Sequence, residues 1–400
     1  MFIYIEISKM NLAERFDQCT QFLKVWESFL SREPIRNYPN FCPELIEDWT
    51  KELQDKKYSE LSQIEKTLNL KSKFPEFNEL LSQIKTIIDF PKTQINENAI
   101  LIDQKIKRKK EHEIKQIKSI LEDQDEFEFL DFGGGTGHLC ENLIHNRNRF
   151  GFSIDLDSSF QKSGKLRIEK NDPNNLNKME FLNLKFGEDS IPELTQRYSK
   201  QIILGLHACG DLTPDIISYF KNSQSDSLIS IGCCYHKLTT KINLSERATL
   251  NLTPNAFNLA ARSYAPLTPE SLELKIKIRL YRYMLHCFLF ELGYKKFIPT
   301  GKTRLKDYEK SFGEYAIIYA PDLVQSKTVA QAFYDKITHR EIVQKIIYTD
   351  IFRGLFGRVI ETYIVLDRAL YLEEKGYQVE VKEIFDPHIS PRNLAILAHQ

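Results

Sequence analysis

The segment from Glu128 to Leu139, Glu-Phe-Leu-Asp-Phe-Gly-Gly-Gly-Thr-Gly-His-Leu, constrains the fold more than any other part of the chain. An apolar run of strand character, Phe127 to Phe132, stops at Gly133, and a helical pattern begins at once after Gly137. Glycines at such a junction adopt positive φ and let the backbone approach a ligand that a Cβ would hold away. The helix start that follows favours an anionic group. Asp155 closes the next apolar run, Phe150 to Ile154, about 20 residues on, where an acid can accept hydrogen bonds from a ribose diol. Loop and acid together point to a nucleoside-containing cofactor. A dinucleotide fingerprint begun at Gly133 needs its third glycine at 138, and His138 stands there instead. The spacing is Gly-x-Gly-x-Gly, carried by Gly133, Gly135 and Gly137.

From Phe127 onward, strand candidates alternate with helical stretches: Phe127 to Phe132, Phe150 to Ile154, Met179 to Phe186, Gln201 to Leu206 and Ser227 to Gly232. Alternation of this kind predicts an α/β fold on a parallel sheet. A long helix over Leu274 to Leu292 precedes Tyr294 to Pro299 and Tyr315 to Tyr319, which are expected to close a seven-stranded mixed sheet as a hairpin. Its aromatics, Tyr281, Tyr283, Phe288 and Phe290, suit core packing better than base stacking. Before the first strand, Leu12 to Ile88 carries apolar residues at helical spacing; after the sheet, Thr328 to Gly376 reads as helix and Gln378 to Phe385 as a last strand. The expected division is a helical N-terminal region over 1–100, the α/β domain over 101–325, and a C-terminal helical extension with a strand over 326–400.

Composition narrows the partners. Lysine plus arginine equal aspartate plus glutamate at 55 each, so any basic binding surface must be local. The opening Met-Phe-Ile-Tyr-Ile-Glu is too short for a signal-peptide core, and the most apolar later stretches carry charges, so neither secretion nor a membrane partner is expected. Seven cysteines without a Cys-x-x-Cys pair suit reduced thiols in cytoplasm or nucleus.

In an open parallel sheet, ligands sit beyond the carboxyl ends of the strands. Strand four is followed by His207-Ala208-Cys209-Gly210-Asp211, strand five by Cys233-Cys234-Tyr235-His236-Lys237. His207 or His236 can take a proton from an acceptor near neutral pH, with Asp211 as the orienting acid and Tyr235 positioning the substrate. Cys209 or Cys233 can instead attack a pyrimidine ring. A soft metal site from Cys209, Cys233, Cys234 and His236 is disfavoured, because adjacent cysteines rarely both ligate one tetrahedral ion, so no metal is expected. The plainest alternative makes the cysteines small buried apolar residues. The Asn/Asp-Pro-Pro-aromatic signature of amine-directed adenine methyltransferases is missing after strand four.

Gly205 to Leu212 and Gly232 to Leu238 resemble the methyltransferase-like protein 25 family and the related ribosomal RNA adenine dimethylase domain-containing group. Lys109 to Glu113, Leu366 to Tyr371, Phe385-Asp386-Pro387 and Ser390 to Leu394 match as well, so the resemblance spans about Lys105 to Ala398. It implies a Rossmann-like class I methyltransferase fold that binds S-adenosylmethionine through Asp131, Gly133, Gly135, Gly137 and Asp155. It also places Lys110 within reach of the cofactor carboxylate, with His112 and Glu113 supporting that helix. The His-x-Cys-Gly and Cys-Cys runs are similar to those of transfer RNA 2′-O-methyltransferases, which makes RNA the favoured substrate class. The run Lys105 to Lys110 suits RNA phosphates or a solvated helix start, and Arg392 either lines the cleft or caps the last segment. A protein or small-molecule methyltransferase, and a scaffold without catalysis, are the competing functions.

Overall fold

The computed structural model describes residues 10–102, 106–123, 126–198, 201–262 and 267–400; the Met1 to Glu6 run and Lys105 lie outside these residues. Seven strands form one sheet: β1 (Glu126–Phe132), β2 (Asn148–Asp155), β3 (Met179–Asn183), β4 (Ile202–Ala208), β5 (Ser227–Gly232), β6 (Gln378–Glu383) and β7 (Leu394–His399). Their order is β3-β2-β1-β4-β5-β7-β6. Strands β1 to β5 run parallel, while β7 enters antiparallel between β5 and β6. This is the Rossmann-like class I methyltransferase sheet that the resemblance implied.

The central strands are buried on both faces, which is why they read as unbroken apolar runs: every residue of β5 is buried, as are most of β4. Phe129, Leu204, Ile229 and Ile231 pack with Ile114 and Ile117 of the helix Arg108–Ile120 and with Leu143 of the helix His138–Ile144. The chain winds outward from β1 through β2 to β3 and then returns to β4. The carboxyl ends of β1 and β4 therefore flank the point where the winding reverses, the place for a ligand crevice.

Two expectations are corrected. Tyr294 to Pro299 and Tyr315 to Tyr319 do not form a hairpin. Ser311 and Glu314 make a reciprocal capping box that starts a helix over Phe312–Tyr319, and Tyr294 to Pro299 has no strand pairing. The sheet is completed by β6 and by β7, Leu-Ala-Ile-Leu-Ala-His, whose Ile396 to His399 pair with Ser227 to Ser230 of β5. The domain boundaries move for the same reason. One compact unit joins Met1–Val25, Thr86–Ala265 and Arg358–Gln400, because the last two strands belong to the sheet. The other joins Trp26–Lys85 with Pro266–Gly357, and its described residues contain helices and no strand.

Within that helical unit, Trp49 stacks on Phe77 at 5.2 Å, and Phe352 packs against both. Tyr281 meets Tyr315 edge-on at 5.2 Å and Phe288 meets Phe333 at 5.2 Å, so these two aromatics of the helix Pro269–Glu291 are core, while Tyr283 and Phe290 are half-buried. Among the described residues, no helix is long and apolar enough to cross a membrane.

Candidate active site

The β1–β2 half of the crevice is built from backbone. Gly133, Gly135 and Gly137 have φ of 76°, 59° and 75°. The amides of Gly133 and Gly134 both donate to the Ile154 carbonyl, at 2.9 and 3.2 Å, and Gly135 N donates to Asp155 Oδ2 at 2.9 Å. These amides tie the loop to β2, so the loop offers a shape to a ligand and not the row of free donors that its glycines suggested. The glycines also differ in role. A Cβ on Gly135 would meet nothing within 4 Å, so this residue faces open space. A Cβ on Gly137 would lie 2.4 Å from Met179 Cε, so this glycine serves the close packing of the loop on β3. Gly133 borders Leu212, at 3.6 Å from such a Cβ.

Asp155 is half-buried at the end of β2 and takes the amides of Gly135 and Asp157, at 2.9 and 2.8 Å, one on each oxygen. Each oxygen keeps a further lone pair for a diol. Asp131 is buried near the end of β1, and burial pushes its carboxyl up to about 6, although the charge of Lys110 pulls it down. Lys110 therefore lies within electrostatic reach of the loop, on the helix Arg108–Ile120.

The β4–β5 half is built from side chains. The β4–β5 ladder has an irregularity between Leu206 and Ala208, and the residue it displaces, His207, sits at φ 61°. A left-handed conformation at a non-glycine residue is strained and needs surrounding support. Glu113 supplies it: His207 Nε2 and Glu113 Oε1 are 2.6 Å apart. Ser390 Oγ donates to the same oxygen at 2.6 Å, and Lys109 Nζ lies 3.5 Å away. Burial pushes Glu113 up, but the hydrogen bonds from His207 and Ser390 and the Lys109 charge outweigh it and hold the carboxyl below its ordinary value. An ionised Glu113 fixes the proton on Nε2 and leaves Nδ1 as the acceptor.

The expected role of Asp211 is thereby corrected. Its carboxylate takes the amides of Thr239 and Thr240, at 3.0 and 3.2 Å, together with the Thr239 hydroxyl, and it bonds to neither histidine. It clamps the loop after β5. His236 is exposed and makes no hydrogen bond among the described residues. Tyr235 is buried, and its hydroxyl donates to Glu361 Oε1 at 3.2 Å, which makes it an anchor. Beside His207, Cys233 Sγ lies 3.0 Å from Cys209 Sγ and 3.5 Å from Cys234 Sγ, and it donates to the His207 carbonyl at 3.4 Å. The hydrogen bond from Cys233 is the main influence that lowers the Cys209 thiol, and Cys233 is raised in turn.

The C-terminal motifs hold this half in place. Arg358 donates to Glu361, Glu383 and Asn393 at 2.7–2.8 Å, and Arg392 pairs with Glu361 at 2.9 Å and donates to the Ala260 carbonyl. Asp367 accepts both amides of Leu244 and Ser245. Arg392 is therefore part of a buried network, not a cleft residue. Glu113 and Ser390 were missed as site residues, although both lie in quoted motifs. Their only signal was the Lys-Lys-Glu-His-Glu run and the Ser-Pro-Arg-Asn run, which lie far from β4 in sequence.

Residues 92–241 match the family model described as a methyltransferase domain, a span that includes both the loop and the sulfur cluster. That stretch of the chain is therefore similar to a methyltransferase domain. Probable methyltransferase-like protein 25 of Homo sapiens is 28% identical over 225 residues, which cover 49% of this chain and 36% of that protein. The Mus musculus protein of the same name is 25% identical over 228 residues, covering 49% and 37%. The matched region is thus little more than a third of the length of these relatives. A SAM dependent methyltransferase from Aquifex aeolicus aligns at 15% identity over 35% of this chain and 70% of its own, with a TM-score of 0.22. Coclaurine N-methyltransferase bound to N-methylheliamine and SAH aligns at 10% identity over 98% of this chain and 96% of its own, with a TM-score of 0.28. These overlaps are loose; the likeness to a methyltransferase domain lies in residues 92–241 and in the sheet order.

Proposed function

We propose that the chain transfers the methyl group of S-adenosylmethionine to a hydroxyl or amine of RNA, with His207 as general base. The observation that carries this reading is the His207–Glu113 pair, 2.6 Å apart at the mouth of β4, one strand from the glycine loop of β1. When bound, the cofactor supplies an electrophilic sulfonium methyl. The open space at Gly135 would admit it, Asp155 would accept from its ribose diol, and Lys110, whose charge already acts on Asp131, would pair with its carboxylate. His207 Nδ1 accepts the proton of the attacking group while Nε2–H stays hydrogen-bonded to Glu113, which stabilises the imidazolium formed. Positioning the acceptor in line is worth more than charge stabilisation here, because transfer neutralises the sulfonium.

RNA is favoured over a protein or small molecule because exposed cations cluster on the two segments that supply the site. Lys107, Arg108 and Lys109 precede Glu113, and Lys237 follows Cys234. Such groups neutralise phosphates despite a zero net charge. The test is to incubate the purified chain and methyl-labelled cofactor with total RNA from cells lacking the protein. Label in the RNA, lost in His207→Ala, is the expected result. Label in protein or small molecules alone would refute the RNA assignment, and no transfer to any acceptor would leave a binding scaffold.

A further inference from the structure

We infer that Cys209, Cys233 and Cys234 form a three-thiolate site for a zinc-class divalent cation, with a fourth coordination position left open at the mouth of β4 and β5. The three Sγ atoms lie within 4.8 Å of one another, and all three cysteines are half-buried, which admits a cation from solvent. Adjacent cysteines were the argument against such a site. The fold answers it by bringing the Cys233 and Cys234 sulfurs to 3.5 Å of each other and into one group with Cys209, which lies one residue beyond Ala208, the ladder partner of Gly232.

Zinc–thiolate bonds of about 2.3 Å in a tetrahedral site separate sulfurs by about 3.8 Å. The observed 3.0 and 3.5 Å therefore need to open by less than about 1 Å around an ion. His236, the fourth residue of the disfavoured set, is exposed and outside the cluster, so among the described residues the protein supplies three ligands. Three protein ligands with one open position is the pattern of a reactive zinc site, whereas structural sites are closed by a fourth ligand. The Lys237 charge, which acts on both Cys209 and Cys234, offsets the net negative charge of three thiolates around a divalent ion. Binding releases the remaining thiol protons to solvent, so affinity rises with pH. The cysteines are then ligands and cannot be attacking nucleophiles.

The experiment is an anaerobic titration of the reduced, chelator-stripped full chain with Co²⁺. One equivalent per chain should give thiolate-to-cobalt charge-transfer absorption that stoichiometric Zn²⁺ abolishes. Cys233→Ser and Cys234→Ser should each weaken binding by more than about 100-fold, since even partners of ligands are worth 10–100-fold. Cys42→Ser, outside the cluster, and His236→Ala should leave it unchanged. Should a serine variant misfold, the wild-type chain still decides: Zn²⁺ should protect Cys209, Cys233 and Cys234 together from alkylation, with Cys42 unaffected. No charge-transfer band from a chain with native circular dichroism would overturn the site. So would a band that survives both serine variants, or a Cys209–Cys233 disulfide that forms in preference to metal binding.

Discussion

The two halves of the crevice are made of different materials. At β1 and β2 the contacts are backbone amides and one carboxylate within a single stretch, Asp131 to Asp155. At β4 and β5 they are side chains drawn from four separate segments: Glu113, His207 with Cys209, Cys233 with Cys234, and Ser390. The first half is a shape set by its own loop, packed on Met179 and Leu212, with Lys110 as its one charge from the helix Arg108–Ile120. The second is a constellation that exists only when the helix Arg108–Ile120, two strand ends and the C-terminal hairpin are assembled. Cofactor binding should therefore survive damage to the second half, while catalysis should not.

The largest expected effect strikes the scaffold of the second half. Arg358→Ala would strand Glu361 and Glu383 as buried, partly unpaired carboxylates. Removing one partner of a buried ion pair costs about 3–5 kcal/mol. Denaturant unfolding should show a loss of that size, and Arg358→Ala,Glu361→Ala,Glu383→Ala together should lose less than the sum of the single changes. Additive losses would mean the network is not a unit.

Glu113→Gln sharpens the comparison at the site itself. It removes the charge that fixes the His207 tautomer but keeps the shape, so kcat should fall by about 10²–10⁴-fold with the cofactor Kd unchanged. The acid limb of the kcat–pH profile should move as well, a change that a purely structural role would not produce. An equal loss in cofactor affinity would erase the distinction between the halves.

The smallest effect lies in the first half. The fold raises Asp131 from 3.8 to about 6, so the folded chain binds that proton more tightly than the unfolded one. Its contribution is therefore stability present at low pH and lost as pH rises from 3.8 to about 6. Asp131→Asn avoids the buried charge and should be the more stable of the two above pH 7 by up to about 3 kcal/mol. The gap should close toward pH 4. Thermal melts of both chains across that range decide it, and a gap independent of pH would remove the electrostatic cause.

The same contrast explains what the sequence made legible. Strand β1, the glycine junction and Asp155 are local patterns, and the structure places all three as expected. The separate duties of Gly135 and Gly137 were hidden, because they depend on Met179 from β3 and on empty space. His207 was identifiable as a histidine at a strand mouth, but its partner was assigned to the nearest acid in sequence, Asp211. The actual partner lies 94 positions away, on a helix where Glu113 was read only as a support for that helix. β7 escaped for a similar reason: its apolar run is short, and only pairing with β5 makes it a strand. The false hairpin shows the reverse, since Tyr315 to Tyr319 has strand composition but a capping box at Ser311 outweighs it.

Methyl transfer at this crevice requires that its first half hold S-adenosylmethionine. Isothermal titration of the full chain with that cofactor, beside Asp155→Ala and Gly135→Arg, tests this most directly. Micromolar binding by the wild type is predicted, weakened about 10–100-fold in Asp155→Ala, where hydrogen bonds to a charged group are lost, and abolished in Gly135→Arg, where the open space is filled. No binding by a wild-type chain with native circular dichroism, or binding indifferent to both changes, would contradict it.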